Sequence, residues 1–174
     1  WPTKSKKDVY KIISGMWKNI GRNFGELVHI KSFGSSKKKK LKISGHEKLE
    51  QTLKKNLKKR KGIIFFSAHF GNWELGPIAI KHLDLEPLCL YRKSNNRLIE
   101  FIIQSIRSQN GSYAPKGDTG AKKSFIWLRQ GKSLALLMDQ KLNEGPEINF
   151  LGKPAPTASF IAEIAIKMDL DIIP

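Results

Sequence analysis

The residues FSAHFGNWELGP, positions 66–77, set a histidine, His69, and a glutamate, Glu74, five positions apart in a glycine-containing stretch that follows a run of apolar residues. A carboxylate that accepts a hydrogen bond from one imidazole nitrogen fixes the tautomer and raises the basicity of the other. The second nitrogen can then take a proton from a hydroxyl. On a continuous helix a separation of five turns two side chains about 140° apart. The two can therefore meet only if the backbone bends, and Gly71 between them permits a bend. The spacing alone also fits a histidine at a strand end followed by a helix-starting glutamate, without any chemistry.

Such a pair needs elements to hold it. From Gly62 onward short apolar runs alternate with longer helical patterns. GIIFFSA (62–68), LEPLCLY (85–91) and SLALLMD (133–139) read as buried strands, and DIIP (171–174) opens another. Helical segments are expected near 74–83, 96–109, 118–130 and 157–168, with Gly111 and Gly131 as stops just past two of them. Strands alternating with helices at this spacing imply crossover connections. The fold class is α/β, a mostly parallel or mixed sheet flanked by helices. His69 then falls at the carboxyl end of a strand, where open α/β sheets place their ligand crevices, and Pro77 fits the first turn of the next helix.

The first 61 residues have a different character and are expected to form a basic helical region ahead of the α/β core at 62–174. Residues 1–62 carry 19 Lys/Arg against 4 Asp/Glu, a net +15, and the remaining 13 against 11 give +2, which together make the formal +17 of the chain. Residues 10–30 place apolar side chains at helical spacing and read as one or two amphipathic helices broken near a glycine. KSFGSSKKKKLK (31–42) reads as a basic, low-complexity linker. Ser44 and Glu47 form a capping box, after which Leu49, Leu53 and Leu57 trace a thin apolar line among lysines. That helix could lie on the domain with its lysines in water or rest at an anionic headgroup interface. The chain begins at Trp1 and ends as a strand opens, so a fragment of a longer protein, with an incomplete sheet, is expected.

Composition narrows the classes. One cysteine, Cys89, rules out an internal disulfide framework, and the lack of any CxxC or Cys/His cluster argues against a structural zinc site. No apolar run approaches the roughly 20 residues of a transmembrane helix. A Ser/His/Asp hydrolase would want a GxSxG elbow, which is not in the sequence. A nucleic-acid-binding module would use the lysines, but the basic region interleaves few aromatics and carries no recognised signature.

Four blocks in order carry a resemblance: AHFGNWELG, then LYRKSNN, then LLMDQK, then FLGKPAPTASFIAEIA, with MWKNIGRNFGEL as a fainter fifth near the start. They resemble the lipid A biosynthesis acyltransferases, the lauroyl/myristoyl or late acyltransferase family within the wider HX4D/E glycerolipid acyltransferase group. The resemblance implies an O-acyltransferase that moves a fatty acyl group from a thioester donor, acyl carrier protein or coenzyme A, to a hydroxyl of a lipid A precursor or related glycolipid. A lysophospholipid or another glycolipid is the alternative acceptor. His69 matches the family's catalytic base and Glu74 the acid that orients it. Arg92, Asn96, Arg107, Asp139 and Gln140 match substrate-binding positions. No metal or cofactor is implied beyond the acyl donor. The implied partners are acyl carrier protein, an anionic glycolipid acceptor and a membrane surface, with no nucleic acid, at the cytoplasmic face of the bacterial inner membrane. Many members have an acid where this chain has Lys141, so a role for that acid does not carry over. The +15 region suits an acidic carrier protein and an anionic leaflet.

Overall fold

The computed structural model describes residues 3–34, 41–59, 61–108, 110–140 and 145–174, and for residues 34, 46–48 and 57–59 the backbone alone. The Lys37–Lys40 run and Lys141 lie outside the described residues, as do the side chains of Glu47 and Leu57, so the capping box and the end of the leucine line do as well.

Three apolar segments form neighbouring parallel strands, as their near-continuous hydrophobicity predicts. They are β1 (Ile63–Ser67), β2 (Pro87–Tyr91) and β4 (Ser133–Leu137). With β3 (Ser112–Pro115) and β7 (Asp171–Ile173) they make a five-stranded sheet in the order β3-β2-β4-β1-β7, every pair parallel. β3 was not expected. Its four residues, SYAP, include a serine and a proline, and as an edge strand it has one free side on which such residues are tolerated. A hairpin of β5 (Glu147–Phe150) and β6 (Lys153–Pro156), turning through Leu151 and Gly152, was also missed. Two prolines and a row of exposed residues hide its strand character.

Helices cover both faces. α4 (Gly76–Lys81) and α3 (His46–Lys59) pack on one, where Leu53, Ile63, Ile80 and Leu85 form a core that Phe65, Ala135 and Ile173 extend. α6 (Asp118–Arg129) and α7 (Phe160–Met168) pack on the other, against Ile64, Leu88, Leu134 and Leu136. Successive residues of β1 and β4 thus point to opposite cores, the period of two that a doubly covered sheet requires. α3 takes the first of its two expected placements. Leu53 and Asn56 are buried, and the Asn56 carboxamide donates to Asp171 Oδ2 at 2.7 Å. The expected helix at 74–83 is shorter, since α4 follows a 3-10 turn at Trp73–Leu75. α5 (Arg97–Arg107) joins β2 to β3.

The N-terminal segment is one unbroken helix, α1 (Lys6–Leu27), capped by Ser5, whose hydroxyl accepts from the Asp8 N–H, and followed by a turn of helix, α2 (Lys31–Gly34). The expected break near a glycine is absent. Gly15, Gly21 and Gly25 sit on open sides of α1, and tertiary contacts outweigh the ~1 kcal/mol that each interior glycine costs. Leu27 and Ile30 pack with Ile78 of α4, with Ile106 of α5 against them. Among the described residues no helix is long and apolar enough to cross a membrane.

Candidate functional site

β1 and β4 lie side by side in a register that sets Ser67 opposite Leu137, and the Met138 N–H donates to the Ser67 carbonyl at 2.9 Å. Two residues beyond each strand the chain reaches His69 and Asp139. Parallel register therefore delivers these two side chains to the same level at the carboxyl edge. From here β1 runs on to α4 on one face of the sheet, and β4 leads to α7 on the other, the divergence that opens a ligand crevice in α/β folds.

His69 Nδ1 lies 2.7 Å from Asp139 Oδ1, and the His69 backbone N–H donates to Asp139 Oδ2 at 2.9 Å. Partial burial works against the charge on Asp139, but the hydrogen bonds from the His69 ring and backbone prevail and hold its carboxyl below its usual range. An ionised carboxylate only accepts, so the ring presents Nδ1–H to it, and in the neutral imidazole the lone pair is then on Nε2. The ring is further fixed edge-on to Trp73, with centroids 5.0 Å apart.

The partner of His69 is thus not the one its spacing suggested. Glu74 turns inward from the 3-10 turn and is gripped by both Nε (3.1 Å) and a terminal nitrogen of Arg107. No hydrogen bond joins Glu74 to His69 among the described residues. The reason lies in the turn. Gly71 takes a left-handed φ of 58°, Asn72 caps the 3-10 turn by accepting from the Glu74 N–H at 3.1 Å, and the carboxylate is carried into the protein. Its side chain is 9% exposed and that of Arg107 17%, a burial that carboxylate and guanidinium tolerate only as a pair. The Arg107 guanidinium also lies 5.6 Å from the ring centroids of both Tyr91 and Tyr113. Burial opposes its charge, yet the Glu74 hydrogen bonds prevail and raise its pKa.

The other expected positions divide. Arg92 is exposed immediately after β2, at the carboxyl edge. Asn96 is the cap of α5, its Oδ1 accepting from the N–H groups of Leu98 (2.9 Å) and Ile99 (3.2 Å), so that oxygen is occupied by the helix. Gln140 Oε1 accepts from Lys116 Nζ at 2.9 Å. Sequence reasoning missed Lys116, which comes just after β3 and whose pKa burial lowers against the pull of Asp139. It also missed the bracing of the turn by α1. Asn23 Nδ2 donates to the Gly71 carbonyl at 2.7 Å, and Asn72 Nδ2 donates to Glu26 at 2.5 Å. The one signal available was MWKNIGRNFGEL, which contains both Asn23 and Glu26.

Beside Gln140 lies a cavity of about 290 Å³ between the sheet and α7. Its walls are apolar, among them Leu90, Leu136, Met138, Phe160 and Ile161, and Lys116 and Gln140 bring polar groups to it. Among the described residues no three His, Cys, Asp or Glu side chains gather as a metal-holding group.

A polarised histidine at a strand edge, with an apolar cavity on Met138 and Gln140 of the neighbouring strand's end, suits proton transfer to or from a substrate that has a hydrocarbon part. The family model for bacterial lipid A biosynthesis acyltransferases matches residues 1–174. The chain belongs to this family. A search of curated proteins found no match. As a member of the lipid A biosynthesis acyltransferase family, the chain is read as an acyltransferase, and the match takes in α1 and α3 as well as the sheet.

Proposed function

We propose that this protein transfers a fatty acyl group from acyl carrier protein to a hydroxyl of a lipid A precursor, with His69 as general base and Asp139 as the carboxylate that orients it. The observation that carries this reading is the pairing of Asp139 with His69 Nδ1, which leaves Nε2 as the basic nitrogen. Nε2 takes the proton of the acceptor hydroxyl as its oxygen attacks the thioester carbonyl. The tetrahedral intermediate collapses to the ester, and the imidazolium returns the proton to the departing thiolate. No covalent bond to the enzyme is required. The family membership supports the reaction class, and the apolar cavity beside Gln140 suits an acyl chain.

Glu74 and Arg107 in this account hold the turn rather than move a proton. Their mutual pair ties α5 to the segment that carries His69, and Asn96 starts α5 at the correct place. Exposed Arg92 at the carboxyl edge is free to meet a phosphate of the acceptor. The basic N-terminal region favours encounter with an acidic carrier protein and with an anionic leaflet, which supports a position at the cytoplasmic face of the inner membrane.

The test is acyl transfer to a tetra-acylated lipid A precursor in detergent, with acyl carrier protein and coenzyme A thioesters compared as donors. Transfer from the carrier-protein thioester that His69→Ala slows by about 10²-fold or more is the expected result. Undiminished transfer by that variant would sink the proposal, and turnover of the coenzyme A thioester alone would replace the donor.

A further inference from the structure

α5 is built inside out. Its inward face sets three polar side chains beside Ile106, which packs on Leu27, Ile30 and Ile78. Glu100 is buried, accepting from the Tyr91 hydroxyl at 2.6 Å and from the Ser94 N–H at 2.8 Å, and one and two turns on Gln104 and Arg107 point the same way. Its outward face is apolar. Leu98 is 68% and Phe101 71% exposed, with Ile99 and Ile102 exposed beside them. An ordinary surface helix puts its apolar stripe on the core and its charges in water. Four large apolar side chains on consecutive turns of one helix are not scattered surface residues; they form a patch of the kind that marks an interaction site.

The surroundings indicate the partner. Arg92, Lys93 and Arg97 are exposed at the start of α5, a basic rim on the apolar patch. On the other side of the His69 turn, which α5 reaches through Arg107 and α1 through Asn23, α1 exposes Trp17 and Tyr10 among lysines. Phe70, next to His69, is 89% exposed. Apolar side chains flanked by arginine and lysine, with tryptophan and tyrosine nearby, are the composition of a surface that sits at the boundary between acyl chains and anionic headgroups.

We infer that the outer face of α5 inserts into an anionic phospholipid bilayer and carries the His69 edge of the sheet to the lipid surface. This goes beyond acyl transfer and does not depend on it, because the contact is read by partitioning and not by turnover. The inward face is what lets α5 do this: its hydrogen bonds, its ion pair and the packing of Ile106 fasten the helix to the protein, so the outward apolar face is left for lipid.

The experiment uses the full chain and vesicles of phosphatidylethanolamine and phosphatidylglycerol. Replacing two inserted side chains, Leu98→Ser with Phe101→Ser, is expected to weaken partitioning by roughly 100-fold. Ile126→Ser, at an exposed apolar site on α6, is expected to leave it unchanged. Both variants should keep the parent's thermal unfolding, since the side chains removed touch water. Unchanged partitioning of the double variant would overturn the inference. A spin label supplies the second readout. Cys89 is buried, so a cysteine introduced by Phe101→Cys is the site that reacts. Vesicles should make that label more accessible to oxygen and less to a water-soluble nickel chelate. A label already shielded from both reagents without vesicles would mean that a second copy of the chain covers α5, and would contradict the proposal.

Discussion

His69 and Asp139 owe their contact to strand register, and their energetics follow from one carboxylate held by two donors. Because the folded pKa of Asp139 is depressed, its stabilising contribution is fully present above the unfolded value, about 3.9, and is lost as pH falls through the lower folded value. Chemical denaturation of the parent and of Asp139→Asn should therefore differ by a constant amount above about pH 4 and converge below it. Convergence beginning at neutral pH would assign the effect to a different group. Glu74 and Arg107 behave in another way. Removing either one leaves the other charge largely buried and alone, so Glu74→Ala and Arg107→Ala should each cost about 3 kcal/mol of stability. The double variant should cost less than their sum, and equilibrium unfolding in urea measures all three. Additive losses would show that the two side chains are not coupled.

At the scale of elements, close approach sets the tolerances. A Cβ on Gly120, in the first turn of α6, would lie 2.1 Å from the Pro115 carbonyl oxygen, so Gly120→Ala should destabilise the protein by about 1–3 kcal/mol as α6 is pushed from β3. An unchanged midpoint in thermal unfolding would mean that the β3 to α6 connection yields freely. The same elements show what a sequence can reveal. β1, β2 and β4 were legible because strands buried on both faces are almost continuously apolar. β3 and the 147–156 hairpin were not, since edge and exposed strands have no such signature. His69 could be singled out by type and by its place at a strand end, Asp139 and Gln140 by the resemblance that LLMDQK carries. The exchange of partners, His69 with Asp139 and Glu74 with Arg107, could not, because it depends on which strands are neighbours and on the inward turn after Gly71. α1 read correctly as an amphipathic helix. What its pattern did not disclose is that Asn23 and Leu27 are its buried side chains while Trp17 and Phe24 face out.

For the whole molecule, the distribution of charge and of exposed apolar surface sets one direction. The excess of +15 in residues 1–62 adds a salt-dependent attraction to any anionic surface, and the outer face of α5 adds one that salt does not screen. Vesicle partitioning should therefore fall as ionic strength rises from low to physiological values and then level off instead of vanishing. Loss of all binding at high salt would leave the apolar face without a role. The sheet with its two helical layers is the frame, and the carboxyl edge between β1 and β4 is where His69, Asp139 and the braced turn meet.

The proposed mechanism makes His69 and Asp139 one catalytic unit. A double-mutant cycle on acyl transfer, with His69→Ala, Asp139→Asn and their combination, addresses it directly. His69→Ala should lower kcat by about 10²–10⁴-fold, and adding Asp139→Asn to it should cost almost nothing more. Glu74→Gln, which leaves Arg107 unpaired beneath the turn that carries His69, should lower stability more than Asp139→Asn does. Independent effects of His69 and Asp139 on transfer would contradict their joint role.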